Sequence, residues 1–319
     1  MARAVSLSTM RDAARQRANM ENSQFVTDAE LNAYLNAGLT ELYDLLVGAR
    51  GTDFYFKSVT YPLISQQTDY SLPDDFYDLV GVDLYVNGRF ITLGKYEFAE
   101  RNRYQNPTIV SLGAPMVYSI LGDKIRFLPP PTGGYNVTIN YLPAPPALTD
   151  YSEVEYVAPT PTKPAGLVVP SGGSVAGLSF DVRIITTGVP GVGQFQWSSD
   201  GGATFSATTT IPVGLTYTLG TTGCTITFNN ATYVANRDYV WTVPSFDGVA
   251  GWEEYAISHA VLLMLTKQES DPSVAVMMKQ SLKQRIEAMA SARNQAQPAR
   301  ISDSTIVDVV NLRILLGYP

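Results

Sequence analysis

Residues 27–46, TDAELNAYLNAGLTELYDLL, combine a helix start signal with a repeat of leucines. Thr27 and Glu30 form a capping box, in which the hydroxyl and the carboxylate satisfy free backbone amides at the start of a helix. Five leucines then recur at helical spacing and form one apolar stripe: Leu31, Leu35, Leu39, Leu42 and Leu46. Gly48 and Gly51 are expected to end the helix. The stripe needs a partner surface, because an amphipathic helix must bury its apolar face against another element.

The partner surface is predicted near the other end of the chain, where two further helices follow each other. Residues 252–267 are nearly apolar throughout, which is typical of a buried helix. Asp271 and Pro272 mark the start of the next helix, as its N-cap and its first helical residue. The apolar stripe of that helix is expected at Val274, Met278, Leu282, Ile286 and Met289. The terminal helices must then cover one another, so the long segment between them is an insertion.

The inserted segment begins with strand signals. Strands are predicted over residues 55–63, 79–86, 116–121, 125–128 and 135–142. Asn87-Gly88 and Gly122-Asp123 supply tight hairpin turns, and a short helix is predicted over residues 96–104. Six prolines between residues 143 and 164 then predict a stiff linker.

Residues 165–244 change character, because Gly, Thr, Ser and Val dominate there and charged residues are few. Short alternating runs predict a small antiparallel β-sandwich: 180–186, 194–197, 204–210, 224–228 and 239–243. The predicted fold class is α+β, a helical bundle formed by the N- and C-terminal helices and interrupted by a β-rich region and an inserted Ig-like β-sandwich. The predicted units are N-terminal helices (1–52), a β-rich region (53–145), the β-sandwich (160–245), C-terminal helices (246–297) and a C-terminal tail (298–319).

Composition and charge exclude several classes of protein. The 319 residues carry a net charge of −7, and residues 51–159 alone contain 7 basic and 12 acidic side chains. A sequence-independent DNA binder concentrates Lys and Arg instead. A single cysteine, Cys224, excludes an intrachain disulfide framework and suits a reducing cytoplasm. The N-terminus lacks a signal-peptide core, and the longest near-apolar run, 256–265, is too short to cross a membrane, so a soluble protein without membrane contact is predicted.

Catalysis is not expected, because the side chains that usually carry it are scarce. His259, the single histidine, lies in an apolar helical run, which favours a helix-packing role. Cys224 lies in a predicted strand without a basic neighbour, which favours a buried apolar role. Asp74, Asp75 and Asp78 offer carboxylates for a divalent cation, but a solvated loop is the preferred interpretation. The sequence therefore predicts no enzyme, no catalytic residue, no metal and no cofactor.

The sharpest local motif is SSDGGATF at residues 198–205. It resembles the Asp-box of sialidases and related propellers, Ser-x-Asp-x-Gly-x-Thr-aromatic, which in that family is a structural hairpin away from the active site. The motif occurs once here, without the periodic repetition of a propeller. Asp200 is therefore predicted to fix a turn.

Two other features predict contacts with partners. Arg11, Arg15 and Arg17 on an N-terminal helix (7–20) could contact phosphates or an acidic partner surface, or they could pair with Asp12 and Glu21 in solvent. The tail after residue 298 is too apolar for free solvent, so we expect it to dock on a partner. Its apolar residues are Ile306, Val307, Val309, Val310, Leu312, Ile314, Leu315 and Leu316.

Three stretches carry a family resemblance. They are NSQFVTDAEL, YLNAG and LY within residues 11–46, YSLPDDF at 70–76, and GAPMVY at 113–118 followed by Ile125, LPP at 128–130 and Tyr141. In order and spacing they resemble the head-to-tail adaptor proteins of tailed bacteriophages. The resemblance covers roughly residues 8–145 and, less sharply, 252–294. The β-sandwich departs from the minimal adaptor pattern.

The resemblance implies a structural protein of the virion. Such adaptors form a ring, here expected as a dodecamer of identical subunits, that docks on the portal protein and extends the DNA channel. The apolar tail is expected to dock on the portal or on a neighbouring subunit. The ring provides the platform for tail proteins and serves in genome ejection. The protein would be assembled in the host cytoplasm and lie at the head-tail junction. The acidic middle segment agrees with passing genomic DNA that is not bound sequence-specifically, since a negative lumen repels phosphates.

Two alternatives stay open. A phage tail or surface protein could bind a glycan or a receptor through its β-sandwich, with aromatic platforms at Trp197, Tyr217, Tyr233 and Trp241, although core packing is the preferred use of each. A hydrolase is the third hypothesis, and the poor inventory of catalytic side chains argues against it.

Overall fold

Four long helices bring the two ends of the chain together. They are α1 (Leu7–Arg17), α2 (Asp28–Arg50), α4 (Glu253–Lys267) and α5 (Ser273–Arg293). The computed structural model describes residues 5–21, 25–51, 55–105, 114–132, 134–145, 147–158, 165–246 and 251–293. Within these ranges the protein mixes helices with four sheets, which confirms the predicted α+β class.

The leucine stripe of α2 is buried, as predicted. Leu31 and Leu35 are fully inaccessible to solvent, and Leu42 is 2% exposed. The stripe packs on α4 through Ala256 and Ala260, in a core that α1 also enters. Burial of apolar side chains contributes about 25 cal/mol per Å², so this contact stabilises the packing of the terminal helices.

A glycine allows the closest approach of α2 and α4. A Cβ atom built on Gly38 would lie 2.9 Å from Ala256 Cα and 3.0 Å from His259 Cβ. Both distances are shorter than ordinary contacts between carbon atoms, which are about 3.5–4.0 Å. Gly38 is therefore required by the helix contact rather than by a turn.

The helix starts follow the capping signals. The Thr27 hydroxyl accepts a hydrogen bond from the Glu30 amide at 3.2 Å, and Asp271 Oδ1 accepts one from the Ser273 amide at 2.9 Å. The Glu30 carboxylate is also held by Lys267, with Nζ–Oε2 at 2.6 Å. This pair joins the start of α2 to the end of α4.

The predicted stripe of α5 is wrong in part. Ile286 is buried, but Val274, Met278 and Met289 are 61%, 48% and 58% exposed. The buried face carries Ala275 and Ala290 instead. Since α5 packs against both α2 and α4, small side chains fill much of its inner face, and the larger apolar side chains are left outside.

The middle of the chain forms two small sheets. One antiparallel sheet contains, in spatial order, β1 (Lys57–Pro62), β8 (Asn136–Pro143), β3 (Phe76–Val86) and β4 (Arg89–Thr92). The other contains β2 (Asp69–Ser71), β7 (Lys124–Leu128), β6 (Val117–Leu121) and β5 (Gly94–Lys95). They share one apolar core, to which Val82, Phe127 and Ile139 belong.

Both predicted hairpin turns are present. Asn87 and Gly88 have φ of 50° and 78° in the turn between β3 and β4, as a type I′ turn requires. In the turn between β6 and β7, Gly122 alone has a positive φ, 65°.

The helix expected over residues 96–104 is shorter, a 3₁₀ turn (Phe98–Glu100) followed by α3 (Arg101–Gln105).

Two further sheets enclose a separate apolar core. The larger contains, in spatial order, β13 (Thr209–Thr210), β12 (Gln194–Ser198), β11 (Ser179–Thr186), β16 (Arg237–Thr242) and β9 (Glu155–Val157). The smaller contains β10 (Val168–Ser171), β15 (Thr225–Phe228) and β14 (Thr216–Thr218). Phe180, Ile226 and Trp241 meet in the core between them. The Ig-like type and the division into domains stay predictions.

The proline-rich segment is more than a linker. Within it, β9 pairs with β16, so the larger sheet already begins before the predicted boundary at residue 160. The sheet can begin this early because Val154 and Tyr156 pack against the apolar core between the two sheets. Upstream, the segment is tied to α2, because the Asn36 side chain accepts from the Leu148 amide at 2.7 Å and donates to the Leu148 carbonyl at 3.1 Å.

The contact at Gly38 predicts a stability difference between two glycines of the same helix. We expect Gly38→Ala to lower the free energy of unfolding by about 1–3 kcal/mol, since the added methyl group overpacks the contact with α4. Among the described residues, no atom of another element lies within 4 Å of the point that a methyl group on Gly48 would occupy. Gly48→Ala should therefore raise stability by up to about 1 kcal/mol through helix propensity. Urea unfolding checks both variants, and equal effects would contradict the close contact.

Candidate functional site

A polar cluster lies where α2, α4 and α5 meet. Lys279 Nζ donates to Glu41 Oε2 at 2.6 Å, and the Tyr255 hydroxyl donates to Glu41 Oε1 at 2.7 Å. His259 Nδ1 lies 2.8 Å from Lys279 Nζ and 3.0 Å from Glu41 Oε2. Although burial opposes ionisation, the hydrogen bonds from Lys279 and Tyr255 lower the pKa of Glu41. The cluster fixes how the three helices meet.

The geometry assigns a packing role to His259. A lysine ammonium group only donates, so Nδ1 accepts from Lys279 when the imidazole is neutral. Burial, together with the charge of Lys279, lowers the pKa of His259 below its ordinary value. The neutral side chain is thus favoured in the folded protein, and it lies beside Gly38 at the closest helix contact. The helix-packing role predicted for His259 agrees with this position.

The depressed pKa of His259 predicts a pH dependence of stability. The unfolded chain binds a proton at the ordinary histidine pKa while the folded chain resists it, so stability falls as pH drops below about 6.5. His259→Asn keeps an oxygen that accepts from Lys279 but does not titrate. Unfolding measured between about pH 7.5 and about pH 5.5 should depend less on pH in this variant. An unchanged pH dependence would contradict the assignment.

The first of the three predicted contact arginines is largely buried. The Arg11 side chain is 11% exposed. Its Nη1 donates to Asp150 Oδ2 at 2.8 Å and to Asn32 Oδ1 at 2.9 Å. This arginine therefore joins α1 to α2 and to the proline-rich segment.

The other two arginines also form ion pairs between elements. Arg15 Nη2 lies 2.8 Å from Asp28 Oδ1 at the start of α2, and Arg17 pairs with Glu254 of α4. The sequence analysis had offered Asp12 and Glu21 as alternative partners, whereas these two ion pairs reach α2 and α4. The cause is tertiary, since the helix carrying these arginines packs across α2 and α4. Contact of the arginines with DNA or a partner stays a prediction, and of the three Arg17 is the most exposed at 36%.

The outer face of α5 is an exposed apolar surface. Met277 is 63% exposed and joins Val274 and Met278 on this helix. Val274 and Met278 also line a groove of about 390 Å³, whose other wall includes Val261 and Leu265 of α4. Exposed apolar patches on soluble proteins often mark contacts with other molecules. Sequence periodicity missed this surface, because it assigned Val274 and Met278 to the core.

The carboxylates near residue 75 are engaged in local contacts. Asp75 accepts from Lys57 at 2.9 Å and from the Tyr141 hydroxyl at 2.7 Å, and Asp78 accepts from the Leu79 amide at 2.8 Å. In the part of the chain that the structure describes, no three His, Cys, Asp or Glu residues form a group that could hold a metal ion.

Cys224 is buried, and burial raises the pKa of its thiol.

The Asp-box folds as the predicted hairpin turn. Asp200 Oδ1 accepts from the Thr204 amide at 2.9 Å and Oδ2 accepts from the Thr204 hydroxyl at 2.6 Å. The Ser198 hydroxyl donates to Asp200 at 2.6 Å. These hydrogen bonds, with that from Ser198 the largest effect, lower the pKa of Asp200 to about 2. The motif has a structural role here.

The hydrogen bonds of Asp200 predict a loss of stability in acid. The carboxylate is favoured in the folded state, so its contribution is present above the ordinary aspartate pKa of about 3.9 and is lost as pH falls toward about 2. Asp200→Asn should therefore flatten the acid limb of the stability curve. Asp123→Asn, which removes a charge from the β6–β7 turn, serves as the control. Parallel acid limbs in the Asp200→Asn variant and the unchanged protein would contradict the role.

Two of the four candidate glycan platforms are inaccessible. Tyr233 is 0% exposed and Trp241 is 1% exposed, and both lie in the core between the two sheets. Trp197 and Tyr217 are half-buried and pack against the same core. Core packing, the preferred use of these side chains, fits all four positions.

Strand β4 is a surface that the sequence analysis did not identify. All four of its residues are exposed, and Phe90 and Ile91 are 68% and 52% exposed. Among the described residues, β4 pairs with β3 alone and forms one edge of its sheet. An apolar edge strand is a ready template for pairing with another strand.

The predicted docking tail, residues 298–319, lies outside the described residues. Within the described residues, no helix has the length and apolar character needed to cross a membrane.

Comparison with known proteins identifies the family. A family model described as SU10 adaptor protein matches residues 5–167, more than half of the chain. The matched segment includes α1, α2 and the two sheets of the middle region. No curated protein matches the chain. The match confirms the resemblance seen in the sequence, and the chain belongs to the SU10 adaptor protein family of phage head-to-tail adaptors.

Proposed function

We propose that this adaptor forms a ring of identical subunits that docks on the portal protein, extends the DNA channel and provides the platform for tail proteins. The observation that carries the proposal is the family match over residues 5–167. The ring, expected as a dodecamer, would lie at the head-tail junction of the virion after assembly in the host cytoplasm. In this role the protein needs surfaces for neighbours and no active site.

Charge supports a DNA channel in this proposal. Residues 51–159 contain 12 acidic and 7 basic side chains. If these acidic residues line the lumen, the genome passes without sequence-specific binding, because like charges repel the phosphates. The arginines of α1 fit this arrangement, since each pairs with an acidic residue of its own chain.

Exposed apolar surface supports assembly. The face of α5 with Val274, Met277 and Met278 is open in the single chain. An assembled ring buries such surface between subunits, where apolar contact stabilises association. The glycan-binding alternative has no comparable support, because Tyr233 and Trp241 are buried.

The tail provides the direct test of portal docking. We expect deletion of residues 299–319 to abolish portal binding, because the apolar tail would order and bury its side chains only in the complex. The helical core should stay folded by circular dichroism. Electron microscopy of the protein mixed with its portal measures docking as rings on the portal.

A matched control keeps the tail and changes its polar residues. Replacement of Ser302, Asp303 and Ser304 by alanine leaves the apolar run 306–316 intact and should leave docking intact. A deletion variant that still docks with full affinity would refute the role of the tail. Unchanged protein that forms no ring with its portal would refute the proposed function itself.

A further inference from the structure

The four-stranded sheet of the middle region ends in two open edges, β4 on one side and β1 on the other. We propose that these edges pair between neighbouring copies of the chain, so that β4 of one subunit hydrogen-bonds to β1 of the next. This inference rests on the proposed ring and names the contact that would close it. A contact between two different surfaces repeats head to tail, which is the geometry that produces rings.

The free hydrogen-bonding groups of both edges follow from the register. The Leu93 amide donates to the Val82 carbonyl and the Leu63 amide to the Tyr135 carbonyl, each at 2.8 Å. Because backbone groups alternate in direction along a strand, the amides and carbonyls of residues 90 and 92 point away from β3. Those of residues 58 and 60 likewise point away from β8. Among the described residues, neither edge has a further strand neighbour.

The direction of the strands is compatible with this pairing. Each adjacent pair in the sheet β1-β8-β3-β4 is antiparallel, so β1 and β4 run in opposite directions. A neighbouring β1 placed beside β4 therefore continues the antiparallel order. Two copies of the sheet would become one eight-stranded sheet without a change of pattern.

The two faces of the sheet also match across the junction. On the polar face, a ladder runs from edge to edge: Ser58 Oγ donates to Asn140 Oδ1 at 2.6 Å, and Asn140 Nδ2 donates to Asp83 Oδ2 at 2.9 Å. Thr92 Oγ1 completes the ladder by donating to Asp83 Oδ1 at 2.7 Å. The outward backbone groups of β4 and β1 both belong to residues of this face. Across the junction Thr92 would lie opposite Ser58 and continue the ladder, whereas Phe90, which shares this face and packs on Tyr85, would lie opposite Thr60.

Among registers confined to residues of β1 (Lys57–Pro62) and β4 (Arg89–Thr92), one pairs the most free groups. Pairing residue 90 with residue 60 and residue 92 with residue 58 uses four backbone donors, whereas a shift toward Pro62 loses one, since proline has no amide hydrogen. In this register Ile91 lies opposite Val59 of the neighbouring copy. Both side chains are on the core face of the sheet, where Val59 already packs against the apolar core. The exposed half of Ile91 would then be covered.

Disulfide formation between engineered cysteines tests this register. Val59 and Ile91 would form a non-hydrogen-bonded pair with Cα atoms about 4.5 Å apart, within the disulfide range of about 4.4–6.8 Å. Within one chain they lie on opposite edges, at least about 14 Å apart because three strand spacings separate them. We expect oxidised V59C/I91C to give a ladder of covalent oligomers on non-reducing gels. Each single variant should give none, and a mixture of the two single variants should stop at dimers.

Controls make each outcome decisive. Cys224 is buried and is present in all variants, so any crosslinking through it appears equally in the unmodified protein, which serves as the background. V59C/F90C places the two thiols on opposite faces and should not crosslink. Crosslinking of I91C alone would mean that two β4 edges pair, which overturns the proposal. Rings seen by electron microscopy without the V59C/I91C ladder overturn this interface and leave the proposed function standing, whereas the absence of both rings and ladder refutes both.

Discussion

The structure depends on the packing of α2 against α4, two helices separated by more than 200 residues. Gly38 lets the backbones approach, and the buried leucines of α2 cover Ala256 and Ala260. Closing so long a loop costs conformational entropy, although that cost grows only slowly with loop length. The apolar contact and the polar cluster at Glu41 offset the cost.

The segment between α2 and α4 is attached to the helical core at several points of the proline-rich segment. Asn36 holds the proline-rich segment by a pair of hydrogen bonds, and Arg11 holds Asp150. The Ser152 amide donates to the Thr242 carbonyl at 2.8 Å, so the chain enters and leaves the second β region at nearly the same place. An element with adjacent ends can be inserted without disturbing its host, which is how the β region can extend the adaptor pattern.

The sequence predicted those features whose cause is local. Capping at Thr27, the leucine stripe, the Asn87-Gly88 turn and the Asp-box turn at Asp200 each follow from a few neighbouring residues. The buried face of α5 was mispredicted, because periodicity records which side chains are apolar and not how close the neighbouring helices come. The partners of the α1 arginines and the exposed edge β4 were out of reach for the same reason. They depend on tertiary neighbours that no local pattern contains.

Within the described residues, the surfaces left open are an apolar helix face on α5 and the two edges of the sheet that contains β1 and β4. Hydrogen exchange of the unmodified protein tests whether the terminal helices form one cooperative unit. Amides of α2 and α4 should exchange with the same free energy of opening, because neither helix buries its apolar face without the other. If α4 exchanged freely while α2 stayed protected, the helices would not depend on one another, and the account would be contradicted.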